Sequence, residues 1–158
     1  MTTIDYLKHA NEVAKQARSA GNTPFGAILV NGKGEIIMEQ GNAEGDRHDA
    51  TAHAELVLAS RASQTFSKEL LWESTLYTTC EPCPMCTGGI YWANIGRIVY
   101  GLSERRLLEL TGSDDKNPTF SMGAAPVIEA GQKKIALEGP IAELEEELAQ
   151  THAGFWTK

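Results

Sequence analysis

Long apolar runs are missing from this sequence. No stretch reaches the roughly 18 apolar residues that a membrane span requires, and residues 1–10 lack the basic-then-apolar pattern of a secretion leader. The expectation is a cytoplasmic protein with no membrane partner. Cysteine is scarce as well: with three in 158 residues, and Cys83 and Cys86 set at a metal-type spacing, a disulfide framework is excluded in favour of a reducing compartment. Positive charge is also short. Fourteen Lys and Arg stand against 21 Asp and Glu, giving a net charge of -7 and a pI near 5.1. Proteins that grip polynucleotides neutralise phosphates with a basic face. Here the basic residues stand singly or in pairs such as Arg105-Arg106 and Lys133-Lys134, which points to a small-molecule substrate and makes nucleic acid an unlikely partner. Repeats and low-complexity segments are absent, and 42% apolar residues over this length are ample for one core, so residues 1–158 are expected to form a single domain.

What the chain does contain is concentrated between Ala52 and Cys86. His53-Ala54-Glu55 is followed by Glu81-Pro82-Cys83-Pro84-Met85-Cys86. A zinc ion that performs chemistry takes three protein ligands and leaves its fourth tetrahedral position open; His53, Cys83 and Cys86 supply one nitrogen and two thiolates. If Pro84 opens a helix, the two sulfurs share a face near the positive end of its dipole, which favours thiolate over thiol. Glu55, two residues beyond His53, is placed to exchange protons with a water at the open position rather than to bind the metal. The bland alternative is a structural zinc site, which normally wants a fourth protein ligand. Of Cys80, His9, His48 and His152, Cys80 reads as a small apolar filler at a strand end, and His48-Asp49 as a solvated turn.

The two-part pattern His53-Ala54-Glu55 and Pro82-Cys83-Pro84-Met85-Cys86 resembles the signature of the cytidine deaminase superfamily, zinc-dependent nucleobase and nucleoside deaminases in which the Glu is acid and base but not ligand. Within it, Pro24-Phe25-Gly26-Ala27, Thr51 to Glu55, Cys80 to Cys86 and Ile90-Tyr91-Trp92-Ala93 look most like bacterial guanine deaminases. The similarity runs from the first helix to about Tyr100. It implies one zinc per subunit, hydrolytic deamination of guanine to xanthine and ammonia, and a homodimer. It also implies that Asn42 contacts the substrate, with the backbone of Ala54 and the ring of Phe25 completing the near wall. Trp92 divides between plain core and a wall of the base pocket. A second acid falls on Asp114 or Asp115, with Asp114 preferred, and the aromatic lid that the family takes from its C-terminal tail, in dimers that exchange that tail, falls on Trp156 or Phe155 within residues 150–158.

The stretch Ser103 to Gly123 departs from the guanine deaminase pattern, which leaves cytosine, isocytosine, ammeline or guanosine as other substrates. A tRNA adenosine deaminase shares the scaffold, although the acidic balance speaks against it. A zinc-stabilised binding protein is the reading without chemistry, and Glu55 distinguishes it, since a structural site has no use for that carboxylate.

Taken in order, Ile4 to Ala17 has helical spacing, Phe25 to Val30 reads as a buried strand, and Asn31-Gly32 turns the chain into a second strand at Glu35 to Gln40. Asn42 to Asp49 reads as a loop, and Thr51 as the cap of the helix bearing His53 and Glu55. Strands follow at Thr75 to Thr79 and Arg97 to Gly101, with the thiolate helix between them and a short helix at about Glu104 to Leu110. Gly112 to Gly123 is a loop; Val127 to Ala130 and Lys134 to Leu137 read as short edge strands or irregular structure; Pro140 to Gln150 reads as an amphipathic helix. Strands and helices alternating in this way predict a three-layer α/β/α fold around a mixed sheet of about five strands.

Overall fold

A computed structural model describes residues 1–112, 114–115 and 117–156. Helix α1 (Thr3–Ser19) opens with a capping box in which Thr2 and Asp5 satisfy each other's backbone N–H groups. Its stripe of Leu7, Ala10, Val13, Ala14 and Ala17 is buried. The hairpin β1 (Gly26–Val30) and β2 (Ile36–Gly41) follows. Then come the one-turn α2 (Glu44–Arg47), α3 (Ala54–Thr65), the short α4 (Lys68–Trp72) and β3 (Thr75–Cys80). The second half runs α5 (Pro84–Ala93), β4 (Arg97–Leu102), α6 (Glu104–Thr111), α7 (Ala125–Ala130), β5 (Ala136–Glu138), a 3-10 turn at Ala142–Leu144 and α8 (Glu145–Gln150).

The five strands form one mixed sheet in the order β2-β1-β3-β4-β5. β1 is antiparallel to both β2 and β3, whereas β3, β4 and β5 are parallel. Successive residues of a strand face opposite sides, so Ala27 and Leu29 join Leu76, Ile98, Leu58 and Ile90 under α3 and α5. Ile28 and Val30 join Tyr77, Val99, Leu7, Ala10 and Leu148 under α1 and α8. The sheet is therefore the middle of three layers, as the alternation of elements predicted. Gly26 is where α1 presses hardest: a Cβ there would lie 2.5 Å from both Ala10 O and Ala14 N.

Several local expectations are corrected. Thr51 does not cap α3; its hydroxyl donates to Asp49 Oδ1 at 2.7 Å, and the N-cap residue is His53, which makes no side-chain capping bond. The loop expected at Asn42 to Asp49 contains α2, whose first N–H groups are satisfied by a remote residue: Asn22 Oδ1 accepts from Gly45 N and Asp46 N. Val127 to Ala130 is helical, with Pro126 in the first turn of α7. The helix expected from Pro140 divides at Leu144 into a 3-10 turn and α8, although Leu144 and Leu148 are buried as their spacing requires.

Candidate active site

The sheet register gathers the site at one edge. Because β1 runs against β3, with Ala27 paired to Thr78, the chain entering β1 at Phe25 lies beside the chain leaving β3 at Cys80. Gly26 pairs with Gly41, so β2 delivers Asn42 to the same edge. Cys80 is paired with Leu102 on parallel β4, which brings Glu104 there too. The thiolates leave β3 at this edge: Cys83 is the N-cap of α5 and Pro84 starts it.

His53 Nδ1 lies 3.8 Å from Cys83 Sγ and 3.6 Å from Cys86 Sγ, and the three ligand atoms fall within 4.8 Å of one another. Zinc bonds of about 2.0 Å to nitrogen and 2.3 Å to sulfur at a tetrahedral angle put such atoms about 3.6 Å apart, so the donors fit zinc in type and spacing. Among the described residues the cluster holds these three groups only, the complement that leaves a catalytic zinc one open position. Cys80 is not a fourth: its Sγ packs 3.9 Å from His152 Nε2. The other ring nitrogen of His53 faces Glu44 Oε1 at 3.6 Å, which orients the ring with Nδ1 toward the thiolates.

The protons of the triad are shared. The Cys86 thiol, then the His53 ring, hydrogen-bond to Cys83 and hold it down to about 4 against the opposing effect of burial. Cys86, the donor in that pair and itself buried, is raised. Contact with Cys83 pushes His53 up to about 9, with Glu55 adding to it. Metal binding at such a site must displace protons. Glu55 sits in the first turn of α3, and burial raises it to about 7 against the pull of His53. At that value a carboxyl group can both take and return a proton near neutrality.

These groups open into a cavity of about 460 Å³. Its walls include Phe25, Asn42, His53, Glu55, Cys80 and Cys83, and its roof is Asp115 with the run Asn117 to Phe120. Glu44, Glu55, Glu81, Glu104 and Asp115 all line it, and none of the described lining residues is Lys or Arg.

Of the residues expected from the sequence, His53, Cys83, Cys86, Glu55, Asn42 and Phe25 come together here. Asn42 is fixed by Glu44, whose N–H donates to Asn42 Oδ1 at 3.0 Å and whose Oε1 accepts from Asn42 Nδ2 at 2.8 Å. Ala54 is fully buried at the start of α3, behind the lining. Trp92 is in a different place: it is 78% exposed on the outer side of α5 and contributes nothing to the cavity. α5 carries no charge and is apolar almost all round, so residue type alone did not distinguish its faces. Asp114 is buried but outside the lining, where Asp115 stands instead.

The described tail residues, up to Trp156, are not among those lining the cavity. Trp156 Nε1 donates to His152 Nδ1 at 3.0 Å, and its ring sits 6.1 Å from Phe25, behind that wall. Phe155 meets Trp156 edge-on and lies under the Arg18 guanidinium. Thr157 and Lys158 lie outside the described residues.

Sequence reasoning passed over Glu104. This residue is 4% exposed, lines the cavity, and is pushed up to about 7 by burial. Thr119 Oγ1 donates to its Oε1 at 2.5 Å, while Oε2 is buried without a partner among the described residues. Glu81, also missed, links three segments: Oε1 accepts from Glu104 N at 2.9 Å and Oε2 from Ala124 N at 2.8 Å. Next to it a Cβ on Gly123 would lie 2.2 Å from Glu81 Oε2, so a larger residue there would have to displace the Glu81 carboxylate. The Ser103-Glu104 pair did carry a signal, but as an ordinary helix start, since Ser103 Oγ accepts from Arg106 N at 3.0 Å.

The chain was compared with known proteins. Residues 1–102 match the family described as the cytidine and deoxycytidylate deaminase zinc-binding region. The chain is 37% identical over 153 residues to a probable cytosine deaminase of Schizosaccharomyces pombe, covering 97% of this chain and 91% of that protein. It is 40% identical over 111 residues to guanine deaminase of Bacillus subtilis, 70% of each. A structure from work on A-to-I editing by tRNA:A34 deaminases matches with a TM-score of 0.71 at 27% identity, over 94% of this chain and 99% of that one. The open His-Cys-Cys triad, the buried glutamate beside it and this match over the first two-thirds of the sequence agree, and the chain belongs to the cytidine and deoxycytidylate deaminase family of zinc-type deaminases.

Proposed function

We propose that this protein hydrolytically deaminates a free nucleobase, with guanine, converted to xanthine and ammonia, as its first substrate. One observation carries the reading: a single cavity of about 460 Å³ contains the open metal triad, buried Glu55 and a second buried carboxylate, Glu104, with no Lys or Arg among its described lining residues. A phosphate-bearing substrate would meet five acidic side chains there and, among the described lining residues, no Lys or Arg to pair with it. The volume suits a bicyclic base, and the match to guanine deaminase supports the same choice.

His53, Cys83 and Cys86 would hold zinc, which when bound would make a water at its open position acidic enough to serve as a nucleophile near neutral pH. Glu55 would take one proton from the attacking water and pass it to the ring nitrogen, then pass the second, from the new hydroxyl on the substrate carbon, to the amine, which departs as ammonia. Asn42, held by Glu44, keeps one amide hydrogen and a lone pair for the base edge. Phe25 forms a flat apolar wall, backed by His152 and Trp156. The second acid that the resemblance puts at Asp114 or Asp115 has two candidates in the cavity lining, Asp115 and the buried Glu104, and we assign the role to Glu104. We also assign the protein to the cytoplasm, where reduced Cys83 and Cys86 remain available to metal, and to a homodimer in which the charge-free outer face of α5, with Trp92 exposed on it, is covered by a second copy.

Cytosine is the second reading, because the match to the probable cytosine deaminase covers 97% of this chain against 70% for the match to guanine deaminase. Ammonia release by zinc-loaded protein from guanine, guanosine, cytosine, cytidine, adenine, adenosine, isocytosine and ammeline tests both. Guanine turned over ahead of the rest is the expected result. Cytosine ahead of guanine would move the assignment to the second reading, and silence across the panel would overturn the proposal.

A further inference from the structure

Two side chains of the tail form a partition behind the catalytic cavity. Phe25 and Cys80 line that cavity, while His152 and Trp156 line a second one of about 200 Å³. The two pairs meet. His152 stands edge-on to the Phe25 ring at 5.3 Å, Trp156 lies 6.1 Å from it, and His152 Nε2 is 3.9 Å from Cys80 Sγ. Because Trp156 Nε1 donates to His152 Nδ1 at 3.0 Å, the neutral imidazole carries its proton on Nε2, directed at the Cys80 sulfur. Both ring nitrogens are thereby engaged, which fixes the ring. The tail is pinned to α1 just before it: Arg18 Nη1 donates to Thr151 O at 2.8 Å, and Thr151 Oγ1 donates to Asn11 Oδ1 at 2.8 Å. Without the imidazole, the Phe25 ring would gain its space, and the second cavity beyond, to turn back into.

We infer that His152 and Trp156 are positioning residues for the substrate: they hold the Phe25 ring as the wall against which the base lies, so the tail sets substrate affinity without touching the substrate. The inference rests on the proposed nucleobase deamination and extends its binding site to residues outside the cavity. A wall contact binds the base alike before and during the reaction. Losing it therefore raises KM and leaves kcat, which belongs to the metal triad and Glu55, nearly unchanged. A merely structural role would instead lower the amount of active protein, and with it the apparent kcat, at constant KM.

The test is a double-mutant cycle on zinc-loaded protein with guanine. His152→Ala should raise KM by about 5-fold or more, with kcat within about 2-fold of wild type and zinc content unchanged. In a Phe25→Ala background the same substitution should move KM by less than about 2-fold, because the side chain it acts through is gone. Trp156→Phe, which keeps a ring but removes the N–H, should raise KM in the same direction. His152→Gln, whose amide can accept from Trp156 and donate to Cys80, should hold KM near the wild-type value; these two variants decide the matter should His152→Ala fold poorly. Equal rises in KM with and without Phe25, or a fall in kcat at constant KM, would overturn the positioning role while leaving the deaminase reading untouched. If another base of the panel is the one turned over, the same cycle is read with it. Ammonia from none of the panel would overturn the nucleobase assignment and the positioning role with it.

Discussion

Glu55 and Glu104 are ionisable side chains of one type that burial has moved the same way, each to about 7, yet their neighbours differ. Glu55 lies two residues along the chain from His53, and proton transfer is the role proposed for it. Glu55→Gln keeps the shape and removes the base, so zinc content should match the wild type while kcat falls by about 1,000-fold; metal analysis beside a steady-state assay checks this. Glu104 carries a stability signature. Its folded value lies above the ordinary 4.5, so the native state holds a proton that the unfolded chain has already lost. The stability this group contributes is complete below 4.5 and disappears as pH rises through about 7. Glu104→Gln should therefore raise the melting temperature relative to wild type more at pH 8 than at pH 5; an equal gain at both would contradict the burial account. The triad and Glu55 were legible in the sequence because their spacing along two helix starts is itself the geometry. Glu104 was not, because its partners Glu81 and Thr119 reach it from separate segments, and locally it is only the first residue of a helix.

Elements whose pattern is local were read well: α1, β1, β2, β3, β4 and the thiolate helix all stand within a residue or two of where their periodicity placed them. The elements misread depend on remote partners. α2 is capped by Asn22 from another loop, and Trp92 faces outward on a helix whose residues are apolar on every side. The described part of the tail also depends on a partner within the fold. Trp156 has a partner inside the fold, since its indole N–H is taken by His152, which is 3% exposed and packs edge-on against Phe25. Burial, with Arg18 adding to it, depresses His152 to about 4 from the usual 6.5. The unfolded chain then binds a proton that the folded one refuses, so stability falls as pH drops from 6.5 towards about 4, by about 3 kcal/mol in all. Urea unfolding of His152→Gln should lose that part of the acid sensitivity, and the variant and wild type should differ more at pH 7 than at pH 4.5. At Gly26, where α1 touches the sheet at backbone distance, Gly26→Ala should lower stability by about 2 kcal/mol or more by forcing the layers apart, measured as a fall in the urea midpoint.

For the whole molecule, the sheet acts as a ruler that brings the ends of β1, β2, β3 and β4 to one edge, so that residues far apart in sequence line one cavity. The metal triad joins α3 to α5 across that edge. Zinc bound there stabilises the folded chain over the unfolded one, and stripping it with a chelator should lower the melting temperature, with recovery on adding zinc back. The outer face of α5 supports a prediction on assembly: Trp92→Glu should shift the sedimentation of the protein from dimer towards monomer, and a wild type that sediments as a monomer would remove the second copy from the account. The most direct test of the whole is ammonia release from guanine by wild type and Glu55→Gln at equal zinc content. The account predicts steady release by the wild type and almost none by the variant. Equal release by both would show that the open triad and its buried glutamate do not perform the chemistry assigned to them.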